Sequence, residues 1–316
     1  SHGTHVAGIV AAEAGNGGIL GVASGGSTAC ANNIVDLVVI DAFSKRTWDS
    51  RSGMWVANGT VYDVVYALGR ARDAGCRVVN MSLGFDVYDE DLARYFEELC
   101  CELTEKKDML IVAAAGNSGV NRRSVPASCE SVLGVISLTH RAYANSARNS
   151  ISSAAWMTGD VTRSSFSNYG EWCDLAAPGE SIYSTLLLNG TSNTYGYMDG
   201  TSMACPVVAA VAAMVRAAAP ELTAQEVREV LCKTASDLTD IRGKDDQSGW
   251  GAVDAEAAVG KVLPSRSEAE GSKADASGQE EPQDSSSPVL PPAVSQPPAR
   301  QPDPQTPEQP SVKPAP

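Results

Sequence analysis

Ser202, Asn117 and three histidines stand in settings that suit acyl-transfer chemistry. Ser202 lies in Gly200-Thr201-Ser202-Met203-Ala204-Cys205-Pro206, which leads into an apolar, small-residue run from Val207 to Ala219. The pattern predicts a tight turn and then a buried helix, with the serine where the helix begins. Unpaired backbone N–H groups and a partial positive charge at that end favour an anion forming beside the hydroxyl. A serine that merely caps a helix gives the same local pattern. A serine hydroxyl is also a weak nucleophile, so attack on a carbonyl needs a base within hydrogen-bond reach. Histidine suits that task near neutrality, and the chain holds only His2, His5 and His140. Asn117 follows the apolar run Val112-Ala113-Ala114-Ala115 and a glycine. Its amide is a candidate donor to a developing oxyanion, or else a turn residue tolerating a left-handed backbone.

Three segments share an order that resembles the subtilisin family of serine endopeptidases: Ser1-His2-Gly3-Thr4-His5-Val6-Ala7-Gly8, Gly116-Asn117-Ser118-Gly119 and Gly200 to Pro206. The resemblance extends to about Leu263. It includes Asn80-Met81-Ser82-Leu83-Gly84, Ser165-Phe166-Ser167-Asn168-Tyr169-Gly170, Ala176-Ala177-Pro178-Gly179 and Gly249-Trp250-Gly251. It implies Ser202 as nucleophile and His2 as general base. The Asn117 amide and the backbone N–H of Ser202 are the implied oxyanion donors. His5 is expected to pack or hydrogen-bond locally, and His140 to lie in a surface loop. Ser82, Leu83 and Gly84 are implied to pair with an extended substrate as an added strand. Gly84 leaves room for a side chain to enter a pocket walled by Ala114, Ala115 and Gly116, and Gly53 resembles part of a second substrate-flanking segment.

A triad of this kind needs a third group that fixes the tautomer of the base, an aspartate N-terminal to the histidine. Only Ser1 precedes His2 here, so the expectation is an N-terminally truncated fragment whose aspartate strand lies upstream. Asp41, at the end of Val38-Val39-Ile40, looks like a substitute, but it lies after the histidine and lacks an adjoining glycine turn. Two functions stay open. One is a serine endopeptidase acting through an acyl-enzyme on Ser202. The other is a catalytically inactive relative or peptide-binding module. A serine esterase would show Gly-x-Ser-x-Gly with the histidine after the serine, and both features are lacking.

Composition bounds the partners. The chain has 316 residues and a net charge of −14, which argues against nucleic acid. Residues 264–316 carry 13 of the 17 prolines and no aromatic residue, with 8 acidic and 4 basic side chains. That segment reads as a disordered tail, and residues 1–263 as one peptidase domain. The chemistry requires no cofactor, and the eight cysteines show no zinc spacing. An even cysteine count and the sequons at Asn58 and Asn189 suit a secreted or vesicular protein. The expected partners are protein or peptide substrates and a propeptide, with the protein itself a monomer. No apolar run is expected to reach the length of a membrane span, and the longest, Val207 to Ala219, suits a buried helix better. The loop from Glu13 to Ile19 is where the resemblance implies a structural Ca2+, with Asn16 and Glu13 as the side-chain candidates; a metal-free Gly-rich turn is the alternative.

Short β-branched runs alternate with helical patterns. Strands are predicted at Leu37–Ala42, Arg77–Leu83, Met109–Ala115 and Val132–Leu138. Helices are predicted at Val61–Ala74, Asp89–Glu105, Ser202–Ala219, Ala224–Thr234 and Asp254–Val262. Continuous apolar strands separated by helices imply an α/β fold with a mainly parallel sheet covered on both faces. The resemblance implies the three-layer α/β/α form of that fold.

Overall fold

The computed structural model describes residues 2–25, 34–43, 45–49, 54–87, 89–140, 161–188, 192–238 and 243–263. The predicted tail and the Gly53 segment lie outside the described residues. In chain order the elements begin with α1 (His2–Ala11), β1 (Lys45–Asp49), β2 (Met54–Asn58), α2 (Val61–Asp73), β3 (Val78–Met81), β4 (Phe85–Asp86) and α3 (Glu90–Cys101). The strands β5 (Leu110–Ala114), β6 (Ser124–Val125), β7 (Val132–His140), β8 (Val161–Arg163), β9 (Leu175–Pro178), β10 (Ile182–Leu188) and β11 (Ser192–Met198) follow. Three helices close the series: α4 (Thr201–Ala218), α5 (Ala224–Thr234) and α6 (Ala255–Val262).

β5 shows why the sheet is buried on both faces. Leu110, Val112 and Ala114 point to one side, where they pack with Val208, Val211 and Val215 of α4, Val227 and Leu231 of α5, and Ala258 of α6. Ile111 and Ala113 point to the other side, against Val64 and Leu68 of α2 and Phe96 of α3. Period-two alternation with both faces apolar is what a helix-covered parallel strand requires. β3, β5, β7 and β9 run parallel, and β8 adds an antiparallel partner at the end of β7. The result is the α/β/α layering that the sequence implies. Capping boxes begin two helices: Thr60 with Asp63 on α2, and Thr223 with Glu226 on α5.

Four expectations are corrected. The run predicted as a strand at Leu37–Ala42 belongs to no sheet, and Val39 is 69% exposed. Its β-branched composition suits a strand, but composition supplies no neighbour, and β3 pairs only with β5 among the described residues. α3 ends at Cys101, and its last turn widens into a π-helical turn over Glu102–Lys106. His140 is no surface residue: it is buried as the last residue of β7, opposite Val161. Finally, α4 is long and apolar enough to cross a membrane by length and composition, yet 67% of it is buried inside the domain.

Candidate active site

The site is assembled where α4 begins. Gly200 takes a φ of 154°, which side-chain-bearing residues rarely adopt, and this turns the chain sharply from β11 into α4. Pro206 lies inside the helix, four residues after Ser202. Proline has no N–H to offer the carbonyl one turn back, so the Ser202 carbonyl loses its usual helical donor. Ser82 Oγ donates to that carbonyl at 2.7 Å. In return Ser202 Oγ donates to the Ser82 carbonyl at 3.3 Å. The end of β3 is thereby tied to the hydroxyl that sequence reasoning names as the nucleophile.

Asn117 is held by its oxygen. Its Oδ1 accepts from the backbone N–H of Thr201 and from Thr201 Oγ1, each at 2.9 Å. Thr201 Oγ1 in turn accepts from the Gly116 N–H at 3.1 Å. With the carbonyl oxygen committed to α4, the two N–H bonds of the Asn117 amide are left to donate elsewhere. Donors fixed beforehand are what oxyanion stabilisation needs.

A residue that the sequence marked only as part of a motif clamps this turn from behind. Asn168 is fully buried; its Nδ2 donates to the Ala115 carbonyl at 3.1 Å. Its Oδ1 accepts from the N–H groups of Ser118 at 3.0 Å and Val120 at 3.4 Å. Its own N–H donates to the Gly116 carbonyl at 2.9 Å. Gly116 has a φ of 103°, and a Cβ there would stand 2.6 Å from Asn168 Nδ2, so glycine is required twice over. The signal for Asn168 was its place in Ser165–Gly170, but a motif does not say which side chain turns inward.

A cleft of about 440 Å³ opens at this junction, lined by Leu83, Gly84, Asp86, Ala114, Gly116, Asn117, Ser124, Thr201 and Ser202. Of the residues expected at the substrate, Leu83, Gly84 and Gly116 line it. Ser82 stands behind Ser202. Ala115 is a correction: it is fully buried, its N–H bonded to the Val135 carbonyl, and it lies behind the cleft wall. Along a strand the side-chain direction alternates, so only one of Ala114 and Ala115 can face the opening.

α1 carries His2 and His5 and packs on α4 and on the β10–β11 hairpin. His5 is fully buried, with Nε2 against the carbonyls of Ile182 at 3.0 Å and Gly196 at 3.1 Å, one from each hairpin strand. Two acceptors require Nε2 to carry the proton. His5 thus packs, as expected, but its hydrogen bonds join residues far apart in the chain. Ser184 Oγ donates to the His5 carbonyl and Thr185 Oγ1 to the Thr4 carbonyl, both at 2.8 Å. A Cβ on Gly8 would stand 2.2 Å from Thr185 Oγ1, which shows how closely helix and hairpin meet. His2 begins α1. Desolvation and then the nearby charge of His5 hold its pKa below 6.5. Ser202 Oγ points its hydrogen bond to Ser82, not to His2.

Asp41 takes no part in this site. Its Oδ1 accepts from the Phe43 N–H at 3.1 Å, and it lines a separate cleft with Asp63, Tyr66 and Arg70. The loop considered for Ca2+ closes on itself. Asn16 Oδ1 accepts from the Gly18 N–H at 2.7 Å, and Asn16 Nδ2 donates to the Ile19 carbonyl at 3.1 Å. Asn16 Oδ1 and the Glu13 carboxylate are the side-chain oxygens of this loop, so its side chains alone do not supply the six or more oxygens that such a cation wants.

Residues 1–251 match the Peptidase S8 subtilase family. The thermophilic serine proteinase of Bacillus sp. strain AK1 is 35% identical over 240 residues, covering 76% of this chain and 48% of that protein. Subtilisin DY of Bacillus licheniformis is 34% identical over 262 residues, covering 82% of this chain and 77% of that one. Among solved structures, a protease from Pseudoalteromonas arctica PAMC 21717 superimposes with a TM-score of 0.58 at 28% identity, covering 83% of this chain and 70% of that one. The chain therefore spans about half the length of the first of these relatives.

Proposed function

The chain belongs to the subtilase family, and from that premise we propose that it is a serine endopeptidase using Ser202 as nucleophile. His2 takes the Ser202 proton as the hydroxyl attacks a peptide carbonyl. The oxyanion that forms is held by the Asn117 amide and the backbone N–H of Ser202. Collapse expels the amine, which leaves with the proton from His2, and an acyl-enzyme remains. Water, deprotonated by His2, then releases the acid and restores Ser202. The extended substrate adds to the chain at Ser82-Leu83-Gly84 and places a side chain in the adjoining cleft.

The observation that carries this reading is the pinned carboxamide. Asn117 is fixed by Thr201, the residue preceding Ser202, and both border the same cleft as the strand end at Leu83 and Gly84. A generic helix cap has no need of such an arrangement. Fluorophosphonate labelling of the purified protein tests it. Wild type is expected to be labelled on Ser202, and Ser202→Ala is expected to be blank; equal labelling of the variant refutes the nucleophile assignment.

One observation favours a second reading, a peptide-binding module without turnover. Ser202 Oγ is engaged with Ser82, and among the described residues His5 is the side chain whose charge acts on His2. An imidazole without an orienting carboxylate loses about four orders of magnitude in rate. Wild-type protein that binds peptides but resists the fluorophosphonate supports this second reading. The cysteine content and the sequons support a secretory route, which fractionation of the expressing cells will test.

A further inference from the structure

We propose that Cys100 and Cys129 form a disulfide that fastens α3 to the loop behind the substrate cleft. Both are buried in the apolar cluster between α2, α3 and the sheet. Their sulfurs lie close enough for one thiol to donate to the other. Two further contacts bring the same segments together. Glu97, one turn before Cys100 on the same face of α3, accepts from the Glu130 N–H at 3.0 and 3.2 Å. Thr104 Oγ1, in the π-helical turn after α3, donates to the Met109 carbonyl at 3.2 Å and reaches the Ser131 carbonyl at 3.5 Å. The two residues that follow Cys129 are therefore held to the stretch from Glu97 to Thr104, which brackets Cys100.

The neighbouring Cys101 is not an alternative partner. The next position on a helix points about 100° away, and the Cys101 thiol interacts with Glu105 on its own segment. Cys205 is excluded by direction, because its thiol donates to the Val112 carbonyl at 3.3 Å on the α4 side of the sheet.

The bond has a consequence for the cleft. Cys129 receives the Val132 N–H at 3.0 Å, and the Ser128 N–H donates to the Ser124 carbonyl at 2.8 Å. Ser124 lines the cleft that Ser202 borders. A cross-link from α3 to Cys129 thus steadies the strand end that forms this wall, and it encloses β5 and Asn117 within the closed loop.

The chemistry needs a two-electron oxidant, supplied by a low-molecular-weight disulfide such as oxidised glutathione. One cysteine thiolate attacks the disulfide and releases a thiol, forming a mixed disulfide. The second cysteine attacks the protein sulfur of that intermediate, forming the Cys100–Cys129 bond and releasing the second thiol. The two protein protons end on the two released thiols. The contact with Cys129, and then burial, raise the pKa of Cys100 far above that of an ordinary thiol. The exchange therefore belongs to folding, before the thiols are covered.

The test is to refold the full chain in a mixture of oxidised and reduced glutathione, denature it, block free thiols with N-ethylmaleimide and map the peptides by mass spectrometry. A peptide pair joining Cys100 to Cys129, lost on reduction, is the expected result. Cys129→Ala should then leave Cys100 open to the maleimide and lower the melting temperature by about 5–10 °C under oxidising conditions, with a much smaller difference after reduction. Wild-type mapping does not depend on how well the variant folds. Complete alkylation of both cysteines in oxidised protein with native circular dichroism overturns the proposal, and so does either cysteine joined to a different partner. Neither outcome bears on the role of Ser202, which the fluorophosphonate experiment reads separately.

Discussion

Ser82 and Ser202 exchange hydrogen bonds: the Ser82 hydroxyl serves the Ser202 carbonyl at 2.7 Å, and the Ser202 hydroxyl reaches the Ser82 carbonyl at 3.3 Å. The first bond replaces the one that Pro206 cannot make. Ser82→Ala should leave the Ser202 carbonyl without a donor and let the start of α4 shift. A drop in kcat of about ten-fold, worth about 1.4 kcal/mol in activation free energy, is expected with KM little changed. Steady-state kinetics on a peptide substrate will show it. The double variant Ser82→Ala, Pro206→Ala should recover part of the loss, because an alanine at 206 restores the helical N–H.

Asn117→Leu removes the oriented amide donor while keeping the side-chain size. A loss of about 10²–10³ in kcat is expected, the size known for one oxyanion-hole donor in a subtilisin. Thr201→Val should give a smaller loss in kcat, because Asn117 Oδ1 keeps the backbone donor but loses the hydroxyl. It also strips the half-buried Gly116 N–H of its acceptor, which should cost about 1 kcal/mol of stability in urea unfolding. Thr201→Ser should restore both quantities.

The cleft wall is close at Gly84. A Cβ there would stand 2.7 Å from Ser124 Oγ and 3.3 Å from the Val125 carbonyl. Gly84→Val should therefore narrow the opening. Substrates with a large side chain before the scissile bond should lose most of their kcat/KM, and those with alanine there should lose least. Equal losses for large and small side chains would remove Gly84 from the substrate pocket.

Acid stability should depend on His5. Burial lowers its pKa below 6.5, and the carbonyls of Gly196 and Ile182 offset only part of that shift. Between the folded pKa and 6.5 the unfolded chain binds more protons than the native one, so stability rises with pH through this window. It is lost as pH falls below 6.5. Melting temperatures measured on both sides of 6.5 should show the slope. His5→Gln keeps a donor for the two carbonyls but does not titrate, and it should flatten much of the slope. His2 adds to the effect in the same direction and will account for a remainder.

The helices and the central strands were legible because their signals are local. β5 and β7 read as unbroken apolar runs, and α5 announces itself through Thr223 and Glu226. The turns that carry Ser202 and Asn117 were legible for a similar reason, each at the junction with an apolar element. Leu37–Ala42 misled because a β-branched run carries the composition of a strand whether or not a neighbour is present to share its backbone bonds. His140 misled because the apolar run before it appeared to end at Leu138, whereas β7 continues and pairs with Val161.

From the order of residues alone came the period-two strands, the buried α4 and the residue types able to attack a carbonyl and steady an oxyanion. These depend on intervals of a few residues. Which groups face one another was decided only by the fold: Ser82 against Ser202, Asn168 behind Gly116, His5 between two hairpin strands and Cys100 beside Cys129. Each of these pairs joins distant parts of the chain. Hydrogen bonds act over about 3 Å, so such partners exist only once the core has packed and brought their elements together.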